Sequence, residues 1–201
     1  MADTTATPTA KSIKGTRTEK LLAASYVAES TAYTRYTFYA QQADKEGYYP
    51  IGQIFRETAD NELHHGKVFF KFLEGGKVPV AADIDAGVIG DTATNLEIAA
   101  AEEESEGVDF YRNAAKVARE EGFDTIAERF ESIADVEERH RRRFLAYLKQ
   151  VKDGTVWHRD HPIKWQCLVC GFVFEGVEPP KVCPGCAHPY QHYIALDMDE
   201  L

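Results

Sequence analysis

The stretch "ADNELHHGKVFF" (residues 59–70) decides how this chain is read. On a helical period Thr58, Glu62, His65, Phe69 and Phe72 share one face, and Ile51 and Phe55 extend that face backwards. Such spacing marks a core-facing stripe. Yet a carboxylate and an imidazole sit in its middle, where water should be absent.

Three other segments with helical periodicity repeat the oddity. Over 17–45 the stripe is Leu22, Tyr26, Glu29, Tyr33, Tyr36 and Ala40. From about 92 to 122 it is Leu96, Ala99, Glu103, Glu106, Phe110 and Val117, and over 124–152 it is Ile126, Phe130, Ile133, Glu137, His140, Phe144 and Leu148. Burying one unpaired carboxylate costs several kcal/mol, against a total stability of roughly 5–15 kcal/mol. Five buried glutamates therefore need strong compensation, and divalent or trivalent cations supply it. Glu62-x-x-His65 and Glu137-x-x-His140 each put both side chains on one helix face, within reach of one metal. With one glutamate from each remaining helix, Glu29 and Glu103, this is the donor set of a di-iron or di-manganese carboxylate bundle; Glu106 is additional. Glu29 precedes Glu62 by 33 residues and Glu103 precedes Glu137 by 34, an internal repeat that places a metal pair between similar halves. His64 is turned about 100° from His65 and is not expected to ligate. Glu102, Glu104 and Glu138 are expected to face solvent or another subunit.

The connections run short, long, short: a turn at "EGYYP", a long passage through about 76–91, and a turn near Gly122. That pattern fits a four-helix bundle with one long crossover, the ferritin-like arrangement, in a mainly α protein. The chain has 201 residues and a formal net charge of −10, which argues against a nucleic-acid partner. No apolar run approaches the ~20 residues of a membrane span. Residues 1–16 are polar and Thr/Ala-rich, which predicts a disordered tail without a signal peptide and a cytoplasmic protein.

All four cysteines lie in "CLVCGFVFEGVEPPKVCPGC", as Cys167-x-x-Cys170 and Cys183-x-x-Cys186. Two C-x-x-C loops complete a tetrahedral four-thiolate site. Its spacing alone leaves zinc and iron open. Residues 153–164 are expected to be a linker and 165–201 a small metal-stapled domain, too short to fold by its own core.

The segments "AESTAYTRYTFYA", "ETADNELHHGKVFFKFLEGG", "AAKVAREEGF" and "ESIADVEERH", followed by the cysteine module, resemble the rubrerythrin family. The resemblance implies a ferritin-like di-iron domain over 17–152, joined to a small β-rich rubredoxin-like Fe(Cys)4 domain over 165–201. It implies that Glu29, Glu62, His65, Glu103, Glu106, Glu137 and His140 ligate two non-haem irons. Tyr36 and Tyr111 would hydrogen-bond ligand carboxylates. Cys167, Cys170, Cys183 and Cys186 would hold one further iron. The implied activity is reduction of hydrogen peroxide to water, an oxidative-stress peroxidase. Electrons would come through the thiolate iron from a reductase, an NAD(P)H-linked enzyme being one candidate, in a head-to-tail homodimer. "AAEEESEG" around Glu103 departs from the family by being more acidic, and residues 1–16 have no counterpart. Two other readings remain. A ferroxidase for iron storage explains the bundle but gives the cysteines no task, and a zinc-ribbon adaptor explains the cysteines but leaves the bundle ligands idle.

Overall fold

The computed structural model describes residues 11–81 and 87–197, and of Glu106 only the backbone. Helix α1 (Arg17–Lys45) pairs with α2 (Tyr49–Phe72), a long connection leads to α3 (Thr92–Glu102), and a seven-residue π-helical stretch (Glu103–Asp109) continues directly into α4 (Phe110–Glu120). Helix α5 (Asp124–Asp153) completes a four-helix bundle whose third member is α3, the π stretch and α4 together. The boundaries follow local chemistry. Thr16 caps α1 by accepting from the Glu19 amide, and Asp91 caps α3 through the Thr94 amide. Pro50 opens α2, and Gly154 ends α5 at φ +68°, a left-handed cap that favours glycine.

Two apolar clusters fill the bundle. One gathers Tyr36, Ile51, Phe55, Leu96, Phe144 and Leu148 near the α1–α2 turn. The other gathers Leu22, Phe69, Tyr111, Phe130, Ile133 and Ala134 towards the opposite end. The buried glutamates lie on the same helices between them. A charged layer with apolar packing above and below is thus built into the bundle.

The structure departs from the sequence pattern in four places. Tyr26 and Tyr33, placed in the α1 stripe, are 40% and 39% exposed, because that flank of α1 has no fifth helix to meet. In the third helix the core residues after Glu103 are Tyr111, Ala114 and Ala118, while Phe110 and Val117 are only half-buried. The π stretch inserts one residue and shifts the face by one position. Glu102 is buried, not solvent-facing, and pairs with Arg35. Finally, the tail expected to be disordered through residue 16 is packed from residue 11: Ile13 joins the second cluster, and Ser12 and the Ile13 amide bind Glu74.

The C-terminal module is a three-stranded antiparallel sheet ordered β2 (Val173–Gly176), β1 (Ile163–Cys167), β3 (Tyr193–Ala195). Trp165 is fully buried beneath it and donates to the Gly176 carbonyl at 2.8 Å. The connection from α5 is packed rather than free. Val156 is buried in the first bundle cluster, Trp157 stacks on Tyr48 and His192 stacks on Tyr49. The module therefore rests on the end of its own bundle where α2 begins and α5 ends.

Candidate metal centres

Glu29 reaches the centre from α1, Glu62 and His65 from α2, Glu103 from the start of the π stretch, and Glu137 and His140 from α5. They form two overlapping sets whose donor atoms lie within 4.8 Å of one another: Glu29, Glu62, His65 and Glu137, and Glu62, Glu103, Glu137 and His140. Glu62 and Glu137 belong to both. Glu62 Oε2 and Glu137 Oε1 lie 3.0 and 2.9 Å from His65 Nδ1, whereas Glu62 Oε1 and Glu137 Oε2 lie 3.2 and 2.8 Å from His140 Nδ1. Each shared carboxylate thus turns one oxygen to each set, the arrangement that bridges two cations. Glu29 and Glu103 close the opposite ends, 3.9 and 3.8 Å from the respective imidazoles. The side chain of Glu106, named above as a further ligand, lies outside the described part.

Two tyrosines hold the terminal carboxylates. The Tyr36 hydroxyl donates to Glu103 at 2.7 Å and the Tyr111 hydroxyl to Glu29 at 2.5 Å, each across the bundle. Burial, reinforced by the facing carboxylates, holds both phenols well above their ordinary pKa, so they remain donors. Burial also pushes the Glu29 and Glu103 carboxyls far upward, aided by Glu62 and Glu137. Burial opposes charge on His65 and His140 as well, but the close carboxylates of Glu137 and Glu62 overcome it and raise both to about 10. Without cations the charge layer therefore has to be filled with protons.

The donor atoms fit metal better than protons. His140 Nδ1 and both oxygens of Glu137 are buried without an aligned hydrogen bond despite their short approaches. Their lone pairs converge on shared points between the helices instead of on one another. This is the geometry a cation fills. On the outer edge of the ring, His140 Nε2 lies 3.1 Å from the Asn61 side-chain amide, which leaves Nδ1 as the nitrogen available to a cation.

Asn61, Gly107, Arg35 and Glu102 escaped the sequence reading. Gly107 carried a signal, because glycine inside a helix costs about 1 kcal/mol relative to alanine and needs a reason. The reason is contact: a Cβ there would stand 2.7 Å from Glu137 Cβ. Asn61 is on an exposed turn of α2 and gave none.

In the C-terminal module the four thiols are free, with Cys167 Sγ 3.7 Å from Cys186 Sγ and Cys170 Sγ 3.6 Å from Cys183 Sγ. Disulfide sulfurs would be ~2.05 Å apart, whereas sulfurs ~2.3 Å from a tetrahedral ion stand about 3.8 Å apart. The two loops are built alike. Gly171 N bonds to Cys167 O and Ala187 N to Cys183 O, both at 2.9 Å, with Gly171 and Ala187 at φ +77° and +60°.

A bundle with a doubly bridged carboxylate–histidine centre and a four-thiolate sheet in one chain has a counterpart among known families. The family model described as Rubrerythrin matches residues 20–148, with a second match over 94–165, and the model described as Rubrerythrin, rubredoxin-like domain matches 165–194. The chain belongs to the rubrerythrin family. It is 50% identical over 183 residues to a rubrerythrin of Porphyromonas gingivalis, covering 91% of this chain and 92% of that one. With a rubrerythrin of Nitratidesulfovibrio vulgaris it shares 46% identity over 189 residues, 94% and 99% of the two chains. Among solved structures, fully reduced, all-ferrous nigerythrin superposes with a TM-score of 0.60 at 25% identity, covering 97% of this chain and all of that one. Mycobacterium tuberculosis bacterioferritin gives a TM-score of 0.60 at 21% identity over 68% of this chain, which shows the shared bundle fold. Rubrerythrins are iron-binding oxidoreductases, and the carboxylate–histidine centre and the four-cysteine site are this member's two kinds of metal site. Among the described residues no helix is long and apolar enough to cross a membrane.

Proposed function

We propose that this rubrerythrin is a cytoplasmic peroxidase that reduces hydrogen peroxide to water. The observation that carries the reading is the pair of donor sets sharing Glu62 and Glu137, in one chain with a four-thiolate site. A ferrous pair held there supplies, together, the two electrons that peroxide reduction needs. The chain's own task is positional. Glu62 and Glu137 fix the spacing of the two sites, Tyr36 and Tyr111 aim the terminal carboxylates, and the apolar clusters above and below exclude bulk water. We assign Glu29, Glu62, His65, Glu103, Glu106, Glu137 and His140 as the ligands, and Cys167, Cys170, Cys183 and Cys186 as the one-electron site that returns reducing equivalents from a reductase.

We further infer a homodimer. The exposed flank of α1 and α2 carries Tyr26, Phe38, Leu63 and Phe70, a run of apolar side chains that a second copy would cover. The ferroxidase reading gains support from the bundle fold alone, and the four-thiolate module has no role in it.

The test is stoichiometric. Protein loaded with iron and reduced without air is titrated with hydrogen peroxide while absorbance and dissolved oxygen are followed. A reduced chain would hold three electrons, two in the bundle and one at the thiolate site, and each peroxide takes two, so uptake of about 1.5 peroxides per chain without oxygen release supports the peroxidase. Repeated uptake and oxidation of many irons per chain supports the ferroxidase. A colourless cysteine site containing zinc removes the proposed electron carrier.

A further inference from the structure

A second pair of charges is buried beside the carboxylate centre. Arg35 on α1 and Glu102 at the end of α3 form an ion pair, Nε to Oε2 2.8 Å, with side chains 12% and 6% exposed. Taking two charges out of water is expensive, and an apolar pair of similar volume commonly serves stability as well or better. Neither residue belongs to the metal-donor sets found among the described residues.

Their position gives them a task. On the inner side Arg35 and Glu102 border a cavity of about 30 Å³ whose other walls include Glu29, Glu62, Glu103 and Glu137. On the outer side Arg35 borders a groove of about 510 Å³ between α1 and residues 87–89, with Val27, Phe38, Val88 and Ile89 among its walls. The loop lies close over the arginine stem: a Cβ on Gly87 would stand 3.9 Å from Arg35 Cδ, and Tyr39 donates to the Val88 carbonyl at 3.3 Å. Arg35 thus lines both spaces, with Glu102 fastened to it on the inner side.

We propose that the Arg35–Glu102 ion pair is the gate through which substrate passes from the outer groove into the metal cavity. This rests on the peroxidase reading. Hydrogen peroxide crossing an apolar wall would forfeit its hydrogen bonds. Between a carboxylate that accepts and a guanidinium that donates, it keeps them as it parts the pair. The inner cavity is small and walled largely by carboxylates, so the gate selects hydrogen peroxide over alkyl hydroperoxides by polarity and by size. A rival opening exists between α1 and α2, past Leu63, Gly66 and Phe70, but of the donor carboxylates it reaches only Glu62.

Three variants test the gate. Arg35→Met/Glu102→Leu replaces the pair with apolar side chains of similar length. Arg35→Ala/Glu102→Ala widens the passage, and Leu63→Trp narrows the rival opening. The first readout is the rate of azide binding to iron-loaded, oxidised protein, followed by absorbance without turnover. The second is kcat and KM for hydrogen peroxide and for tert-butyl hydroperoxide, with metal content checked in each variant. In the apolar double variant azide association and kcat/KM for hydrogen peroxide should fall about tenfold, because the polar stepping point is gone, with kcat affected less than KM. The widened variant should shift the ratio of the two kcat/KM values towards tert-butyl hydroperoxide, and Leu63→Trp should bind azide as the parent does. Azide association unchanged in the apolar variant, or slowed by Leu63→Trp instead, overturns the gate. If azide slows as expected while even the parent consumes no peroxide, the gate stands and the peroxidase reading falls. Should the apolar pair not fold, Glu102→Gln keeps the polar stepping point but weakens the attraction that holds the pair shut, so azide association should rise several-fold, and a rate equal to the parent's or slower there overturns the proposal.

Discussion

The hydroxyl of Tyr36 lies 2.7 Å from Oε1 of Glu103, joining α1 to the third helix across the metal layer. Its counterpart, Tyr111 to Glu29, runs the opposite way. The two are not equally spaced in sequence: Tyr36 follows Glu29 by seven positions and Tyr111 follows Glu103 by eight. The additional residue is absorbed in the π-helical stretch Glu103–Asp109, which also accounts for the 34 residues between Glu103 and Glu137 against 33 between Glu29 and Glu62. A π turn adds a residue without breaking the helix, and here it restores the symmetry of the site at the cost of symmetry in the sequence.

Each tyrosine therefore serves one end of the centre, and the two ends can be separated experimentally. Tyr36→Phe removes the donor to Glu103 and should weaken the set containing His140, whereas Tyr111→Phe should weaken the set containing His65. Loss of an outer hydrogen bond to a ligand typically costs ~10–100-fold in metal affinity. Cobalt(II) titration of the metal-free bundle should show one site weakened by that amount and the other near its parent value in each variant. Equal weakening of both sites in both variants would refute the pairing.

Gly107 should be intolerant of a side chain. A Cβ there meets Glu137 Cβ at 2.7 Å and Cγ at 2.8 Å, and Glu137 is shared by both donor sets. Gly107→Ala must push Glu137 aside, so iron content should drop from two per bundle and activity with it. Gly66→Ala is the control, since its Cβ would approach Glu29 Cβ at 3.3 Å, a crowding that a small shift relieves. Two bound irons and parental turnover in Gly107→Ala would show that the π stretch is looser than its packing.

Four stripes with glutamates at matched depth made the bundle and its buried cluster of candidate donors legible, because burying charge leaves a mark that ordinary amphipathic helices lack. The stripe of α5 is buried throughout as expected, from Ile126 to Leu148. What the pattern could not carry was register after Glu103. A period of 3.6 applied through a π turn selects Phe110 and Val117, one residue short of Tyr111 and Ala118. Glu102 was misplaced for the same kind of reason. A run of three glutamates reads as a solvated face, and the pattern within one helix carries no sign of the arginine that meets Glu102 from α1. Tyr26 and Tyr33 show the converse, since aromatic residues at core spacing can cover a flank that remains open within one chain.

Metal-free protein should lose stability as pH rises. In the folded chain His65 and His140 are raised to about 10, against ~6.5 unfolded, and the Glu29 and Glu103 carboxyls are also raised. The folded state thus binds more protons than the unfolded, and stability falls with pH wherever that holds. The histidine contribution is fully present below about pH 6.5 and is lost as pH rises towards 10. Glu62, lowered to about 2, acts with the opposite sign but only below the ordinary carboxylate range. With metals bound, the cations take the place of these protons, so the loss should be much smaller. Thermal melts of metal-free and metal-loaded protein between pH 6.5 and 10 should therefore diverge steadily. A metal-free Tm that is flat or rising over this window would contradict the charge assignment.

Electrons should cross between subunits. The thiolate module rests on its own bundle's end, anchored by Tyr48 on Trp157 and Tyr49 on His192. Glu62 is thirteen residues along α2 from Tyr49 and Glu137 sixteen along α5 from Asp153, which at ~1.5 Å per residue separates that end from the carboxylate layer by about 20 Å of helix. Tunnelling decays steeply with distance, and the stacked aromatic contacts oppose any swing of the module towards its own centre. In a head-to-tail dimer the module of one chain would lie beside the bundle of the other. Complementation decides the matter. Cys183→Ser removes the carrier and Glu137→Ala the centre, so each homodimer should be inactive with a reductase as donor. Refolded together with iron, they form hybrids containing one intact centre and one intact carrier on different chains, and partial activity should return. Inactive hybrids, beside parent protein that recovers under the same treatment, would rule out delivery across the dimer and leave transfer within one chain.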